Sequence, residues 1–425
     1  MKFVCHRSAL RGQVEIPGSK SHTIRAVCIG ALAAGESVIH APLVSGDALS
    51  AVQAATGLGA AVDMQPGVWR IRGCGNRPRA ARAEIDVGNS GTTLYIALGM
   101  ASLLRDGQVV LTGDAQIQRR PAGPLAKSLC DLGGEVVSQR GNGCAPYAVR
   151  GGLRGGETAI AAPTSQYVTS LLLNCPLATG DSTVNILLLN ERPYVQMTLD
   201  WLAGQGVRVE HDNMMRFRIP GNQGYRAFEK RIPADFSSAT FFLGAGALGG
   251  NAVTSLGLDM ADSQADKAVV RYLEAMGAGV TVEPGRIMVQ ARPLHGVEID
   301  MNETPDALPV MAVMGCFARG ETRLRNVEHA RIKETDRIAV MCCELRKLGA
   351  DIAELPDGLV IRESALRGAA VEGHDDHRVV MALALAGLHV DGTTTVATAE
   401  AAAVTFPDFA DKMHQLGANL AAVNE

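Results

Sequence analysis

Six cationic residues stand where a helix is about to begin or has just begun: Lys20, Arg25, Arg120, Lys333, Arg337 and Arg378. A helix N-terminus is already partly positive, so a cation there is disfavoured unless an anion lies beyond it. Small polar residues accompany them in Pro17-Gly18-Ser19-Lys20-Ser21, Asn89-Ser90-Gly91-Thr92, Thr164-Ser165-Gln166, Thr304-Pro305-Asp306 and Asp375-Asp376-His377-Arg378. Capping explains the Ser, Thr, Asn and Asp positions, but capping does not ask for Lys or Arg. The stretch Arg331 to Arg337 predicts Lys333 and Arg337 one turn apart on one helix face, with Glu334 beside them. Arg119-Arg120-Pro121 is expected to stop a strand with two guanidiniums. If these helix starts converge on a cleft, it can hold two multiply charged anions.

Any such anion site must be local, because the chain as a whole is slightly acidic. The net charge is -4 over 425 residues, with 20% charged and 47% hydrophobic residues, and no basic run is long enough to neutralise a nucleic-acid backbone. No apolar run approaches the roughly 20 residues of a membrane span, and the first residues do not read as a signal peptide. Nine scattered cysteines show no metal-ligand spacing and read as reduced thiols, with no structural zinc.

Two glycine ladders set the elements that must position the cations. Gly59, Gly133, Gly206, Gly277, Gly349 and Gly417 each close an apolar helical pattern and lie 68 to 74 residues apart; Gly35, Gly107, Gly180, Gly250, Gly320 and Gly392 each precede a strand-like run. Two ladders in phase mean six copies of one unit. The order within a unit is strand, helix, strand, helix and a strand pair. In the first copy this predicts a strand at 14–16, a helix over 20–34, a strand at 36–40, a helix over 47–58, and strands at 61–64 and 68–72 around the turn Gln65-Pro66-Gly67. The leading helices are apolar around much of their circumference, which places them inside a layer of sheet. The expectation is an α/β protein of two lobes, each an inside-out barrel of three βαβαββ units with helices inside and sheets outside. Residues 1–18 and 234–425 form one lobe and 19–233 the other, with the active-site cleft between them.

These residues resemble the 5-enolpyruvylshikimate-3-phosphate synthase family of enolpyruvyl transferases. The resemblance rests on Pro17-Gly18-Ser19-Lys20-Ser21 with Arg25, Gly88-Asn89-Ser90-Gly91-Thr92, Leu111-Thr112-Gly113-Asp114 with Arg119-Arg120-Pro121, and Thr164-Ser165-Gln166. It continues through Arg192-Pro193-Tyr194, Pro305-Asp306, the stretch Arg331 to Arg337, Asp376-His377-Arg378 and Thr405-Phe406-Pro407-Asp408, and so covers the whole chain. It implies transfer of the carboxyvinyl group of phosphoenolpyruvate to the 5-hydroxyl of shikimate 3-phosphate with release of phosphate, a step of chorismate and aromatic amino acid biosynthesis. It further implies phosphoenolpyruvate binding by Lys20, Asn89, Gly91, Arg120, Gln166, Arg337 and Arg378. The acceptor falls to Ser21, Arg25, Thr164, Ser165, Gln166, Glu191, Tyr194, Asp306, His329 and Lys333. Lys20, Asp306 and Glu334 are the candidates for moving protons, since groups packed among charges can have their pKa tuned to that task. No metal or organic cofactor is called for, and a cytoplasmic monomer with small-molecule substrates as its only partners is expected.

Four positions depart from the family's usual pattern. Glu191 stands where a Ser usually bonds the acceptor's phosphate, and Tyr95 replaces an Arg. Val404 and His329 replace a Lys and an Asn. The donor residues are intact while the acceptor side has lost positive or hydroxyl contacts, which leaves open a paralogue acting on a nucleotide or another cyclic alcohol. A non-catalytic relative is disfavoured by the retained Lys20, Glu334 and Asp306. The cell-wall branch that acts on a nucleotide sugar is disfavoured because no Cys lies in 113–121.

Overall fold

The computed structural model describes residues 1–424 and divides into two compact units, Met1–Pro17 with Pro233–Glu425, and Gly18–Ile232. Six four-stranded sheets, three in each unit, are built to one plan. The first strand of a repeat lies parallel to the second, the second pairs antiparallel with the fourth, and the fourth pairs antiparallel with the third. In the repeat that begins with Glu84–Asp86 a helix joins the parallel pair, as a parallel crossover requires, and the last two strands are joined by residues 139–146; in four other repeats that connection is a tight turn, as between Ala61–Gln65 and Val68–Arg72.

In the unit Gly18–Ile232 the helices are α1 (Lys20–Leu32) and α2 (Gly46–Gly57), α3 (Gly91–Ala101) and α4 (Gly123–Asp131), and α5 (Ser165–Asn174) and α6 (Arg192–Gly204). The other unit carries α7 (Phe236–Ala247) and α8 (Ala268–Ala275), α9 (Leu308–Phe317) and α10 (Arg337–Lys347), and α11 (His377–Gly387) and α12 (Phe409–Gln415). The first helix of each pair is the inner one. Every residue of α3, α7 and α11 is buried, and beyond the polar residues of the first turns these helices are almost wholly apolar. The second helix of each pair is two-faced: α8 buries Val269, Val270 and Leu273 and exposes Arg271 and Glu274. Sheets outside and helices inside thus hold for each unit.

The glycine ladder does what its spacing predicts. Gly59, Gly133, Gly206, Gly277, Gly349 and Gly417 all have positive φ, from 71° to 104°, and end the second helix of each repeat.

The first repeat needs a correction. The strand expected at 14–16 is Arg11–Glu15, and it pairs in parallel with Ala252–Leu258 of its own unit, Met1–Pro17 with Pro233–Glu425. The repeat of α1 and α2 takes Glu229–Arg231 instead, parallel to Glu36–His40. Likewise Lys2–His6 completes the sheet of Thr393–Ala397 and Asn419–Val423. Each unit thus completes a sheet with a strand from a distant part of the chain.

The C-terminal ends of the inner helices of Met1–Pro17 and Pro233–Glu425 carry a buried polar knot. His389 has its Nδ1 2.8 Å from the Leu385 carbonyl and its Nε2 2.7 Å from Asn251 Nδ2, while the Asn251 carbonyl oxygen accepts from Leu10 N. Nδ1 therefore donates and Nε2 accepts, which fits only the neutral ring. Desolvation lowers the His389 pKa to about 4, helped by Arg7 and opposed by the hydrogen bond to Leu385. Unfolding releases a ring of ordinary pKa, so the stability it contributes is complete above about pH 6.5 and is lost as pH falls towards 4. The ceiling on that loss is about 3 kcal/mol, reduced in practice because the ring borders a cavity of about 610 Å³. Urea midpoints at pH 7 and pH 5 should differ less for His389→Gln than for the native chain; equal differences would refute this.

Candidate active site

The predicted site residues fall into two sets, one on each unit. In the unit Met1–Pro17 and Pro233–Glu425 the centre is Arg337, the first residue of α10, whose side chain is only 1% exposed. Its Nε lies 2.7 Å from Asp376 Oδ2, its Nη1 2.7 Å from Asp306 Oδ1, and its Nη2 2.5 Å from Glu334 Oε2. Burial by itself would lower the arginine's pKa, but Asp376, Glu334 and Asp306 outweigh it and hold the pKa well above its ordinary value. Arg378, second residue of α11, reaches the other oxygen of Asp306 at 3.0 Å. Asp376 also caps α11, accepting from Arg378 N at 2.8 Å and Val379 N at 3.4 Å. One fully buried carboxylate therefore orients both arginines, one through its side chain and one through its helix. Its place beside them was already visible in the motif, but its bond to Arg337 was not.

Lys333 is not in the helix. It follows the 3-10 turn Glu328–Ile332, and α10 begins only at Arg337 because Asp336 caps it, accepting from Ala339 N at 3.0 Å. Arg331 Nη1, 2.8 Å from the other Asp336 oxygen, ties the preceding loop to that cap. Lys333 and Arg337 accordingly do not share a helix face as the spacing predicted. His329, buried on the same 3-10 turn, points Nε2 at the Asn302 carbonyl, 3.1 Å away. Val404 ends the 3-10 segment Ala399–Val404.

In the unit Gly18–Ile232, Lys20 opens α1 and places Nζ 3.0 Å from Asp47 Oδ2 in the first turn of α2. Asp47 carries no motif that would single it out. Its one sequence signal is an acidic residue in a helix's first turn. The Ser21 carbonyl accepts from Arg25 Nη1 at 3.0 Å. Arg25 is buried and spends its other donors on Thr198 Oγ1, Thr169 Oγ1 and the Tyr194 carbonyl, at 3.0, 3.2 and 3.1 Å. All are neutral oxygens, and desolvation lowers its pKa to about 10, partly offset by Tyr194 and Cys28.

Arg120 does not follow a strand, as its sequence suggested, but the 3-10 turn Ile117–Arg119. That turn forms because the Asp114 carboxylate accepts from both Gln116 N and Ile117 N at 2.9 Å. Arg120 is buried and lies against the start of α3, where a Cβ on Gly91 would come 2.5 Å from its Nη1. Asn89 donates to Asp114 and Gln116 at 2.7 and 2.8 Å, and Gln166 donates to Thr92 Oγ1 at 2.8 Å. Tyr95 and Tyr167 meet edge to face with centroids 5.0 Å apart, and both hydroxyls donate to the Pro121 carbonyl next to Arg120. The residue in the place of a usual Arg is therefore a packing tyrosine.

Glu191 is 2% exposed and is the residue before α6. Its Oε2 accepts from Ser165 Oγ at 2.7 Å, Ser165 N at 2.9 Å and Thr164 Oγ1 at 3.2 Å, all at the start of α5.

The chain thus combines six repeats of strands and helices in two units with buried cations and carboxylates at or beside helix starts. A family model described as EPSP synthase (3-phosphoshikimate 1-carboxyvinyltransferase) matches residues 4–413. A 3-phosphoshikimate 1-carboxyvinyltransferase of Acetivibrio thermocellus is 52% identical over 99% of both chains, and that of Ruminiclostridium cellulolyticum is 50% identical over 97% of this chain and 98% of its own. The 2.37 Å structure of EPSP synthase from Acinetobacter baumannii is similar with a TM-score of 0.85 at 27% identity, covering 100% of both chains. The chain belongs to the EPSP synthase family.

Among the described residues, no helix is long and apolar enough to cross a membrane and no group of three or more His, Cys, Asp or Glu side chains could hold a metal ion.

Proposed function

We propose that this protein transfers the carboxyvinyl group of phosphoenolpyruvate to the 5-hydroxyl of shikimate 3-phosphate and releases phosphate, acting in the cytoplasm as a monomer. The observation that carries this reading is the Arg337 cluster. A buried guanidinium held by three carboxylates, with Arg378 on one of them, is costly to assemble and is of no use to a merely structural helix start.

Phosphoenolpyruvate brings a carboxylate and a phosphate, and Lys20, Arg120, Arg337 and Arg378 supply fixed positive charge for them, with Asn89, Gly91 and Gln166 beside Arg120. Ser21, Arg25, Thr164, Ser165, Tyr194, Asp306, His329 and Lys333 hold the acceptor. In the addition, a proton is delivered to the methylene carbon while the acceptor oxygen bonds to the neighbouring carbon and loses its own proton. In the elimination, the methyl group gives back a proton and the carbon–oxygen bond to phosphate breaks. Glu334, Asp306 and Lys20 are the groups assigned to these transfers. Binding of both substrates would exclude water from the addition intermediate.

Phosphate release from phosphoenolpyruvate, measured with shikimate 3-phosphate, shikimate and nucleoside monophosphates in turn, tests the reading. Turnover with shikimate 3-phosphate is expected; turnover only with another acceptor would replace it by the paralogue. Gly91→Ala drives a methyl group into Arg120 Nη1. It should raise KM for phosphoenolpyruvate by roughly ten- to a hundredfold, the loss of one charge-assisted hydrogen bond, and leave KM for the acceptor within about threefold. An unchanged KM for phosphoenolpyruvate would remove Arg120 from the donor site.

A further inference from the structure

Glu191 holds an unusual position for a carboxylate. One of its oxygens takes three donors from Thr164 and Ser165 at the start of the ten-residue α5. Three donors on one oxygen, one of them a backbone amide at a helix start, make a seat for an anion rather than an ordinary cap. Glu191 has φ 57° and ψ 42°, a left-handed conformation shared by Ala41, Asn326 and Thr398 after the second strand of their own repeats. A second feature, at the start of α6, also favours negative charge nearby. Arg25, buried with only neutral oxygens as partners, donates to the Tyr194 carbonyl in the first turn of α6, which Glu191 precedes.

We propose that Glu191 is a built-in competitor for the acceptor's anionic group, and so sets how strongly a phosphorylated acceptor is preferred over an unphosphorylated one. This rests on the reading that Thr164 and Ser165 face the acceptor. A phosphate can take the Ser165 amide and the two hydroxyls only after the Glu191 carboxylate withdraws, since two anions cannot share one set of donors. The acceptor's phosphate then gains only the difference between its own bonds and those it displaces. An unphosphorylated polyol leaves the carboxylate seated and is spared that exchange.

Calorimetric titration of the whole protein with shikimate 3-phosphate and, separately, with shikimate tests this. Glu191→Ser should bind shikimate 3-phosphate about tenfold or more tightly than the native chain, with the affinity for shikimate changed by less than about threefold. Glu191→Gln, which keeps size and shape but not charge, should move the first affinity the same way, and serves if the serine variant fails to fold. Unchanged or weaker binding of shikimate 3-phosphate in both variants, with native turnover intact, overturns the inference alone. No binding and no turnover with shikimate 3-phosphate in any of the three proteins overturns the acceptor assignment and the inference with it.

Discussion

Lys20→Ala should lower kcat/KM by at least about 10²–10³-fold, the loss that follows removal of one preorganised charge aimed at a developing anion. Lys20 is the first residue of α1, where the aligned peptide dipoles oppose a cation, and its side chain is 13% exposed. Asp47 at 3.0 Å explains why the ammonium is tolerated there, but not why it is present. An ion pair serving only the fold could be replaced by an apolar pair without loss. A role in binding phosphoenolpyruvate would account for the ammonium itself, with Asp47 fixing its direction. The fold should survive the change, because Asp47 stays in the first turn of α2, where a helix favours a carboxylate. Steady-state kinetics with far-ultraviolet circular dichroism checks both halves. Activity within tenfold of the native chain would take Lys20 out of the site.

Asp376→Ala should be the most destabilising single change in the Arg337 cluster, by about 3–5 kcal/mol, because it leaves a buried guanidinium without its doubly bonded partner. Asp306 and Glu334 still neutralise part of that charge, but they are 20% and 10% exposed while Asp376 is fully buried. The same carboxylate caps α11, so its loss frees two amides as well. Denaturant unfolding would show this as a fall in midpoint, and Asp376→Asn, which keeps a capping oxygen, should recover part of it. A loss below about 1 kcal/mol would mean that the three carboxylates are interchangeable, contrary to their geometry.

What could be read from the sequence was whatever depends on neighbours a few residues apart. The ladder glycines are left-handed because a helix that ends in a turn needs φ > 0 within four residues, and each repeat meets that need again. Ser90, Thr164 and Asp376 cap α3, α5 and α11 as their positions before apolar runs predicted. The same local logic failed where two local signals competed. Lys333 was drawn into a helix because its spacing from Arg337 is four, whereas the cap at Asp336 starts the helix later.

The repeat order, the inner helices and the identity of the charged residues were thus determined by the sequence alone, since periodicity and capping act along the chain. Tertiary structure decided which charges meet. Arg337 finds Asp306 and Asp376 31 and 39 residues away, Glu191 finds Ser165 across 26, and Arg11–Glu15 pairs with Ala252–Leu258 far along the chain. No local pattern encodes such pairings. They follow from how helices and strands pack within each unit, and in that packing each buried charge must find a partner.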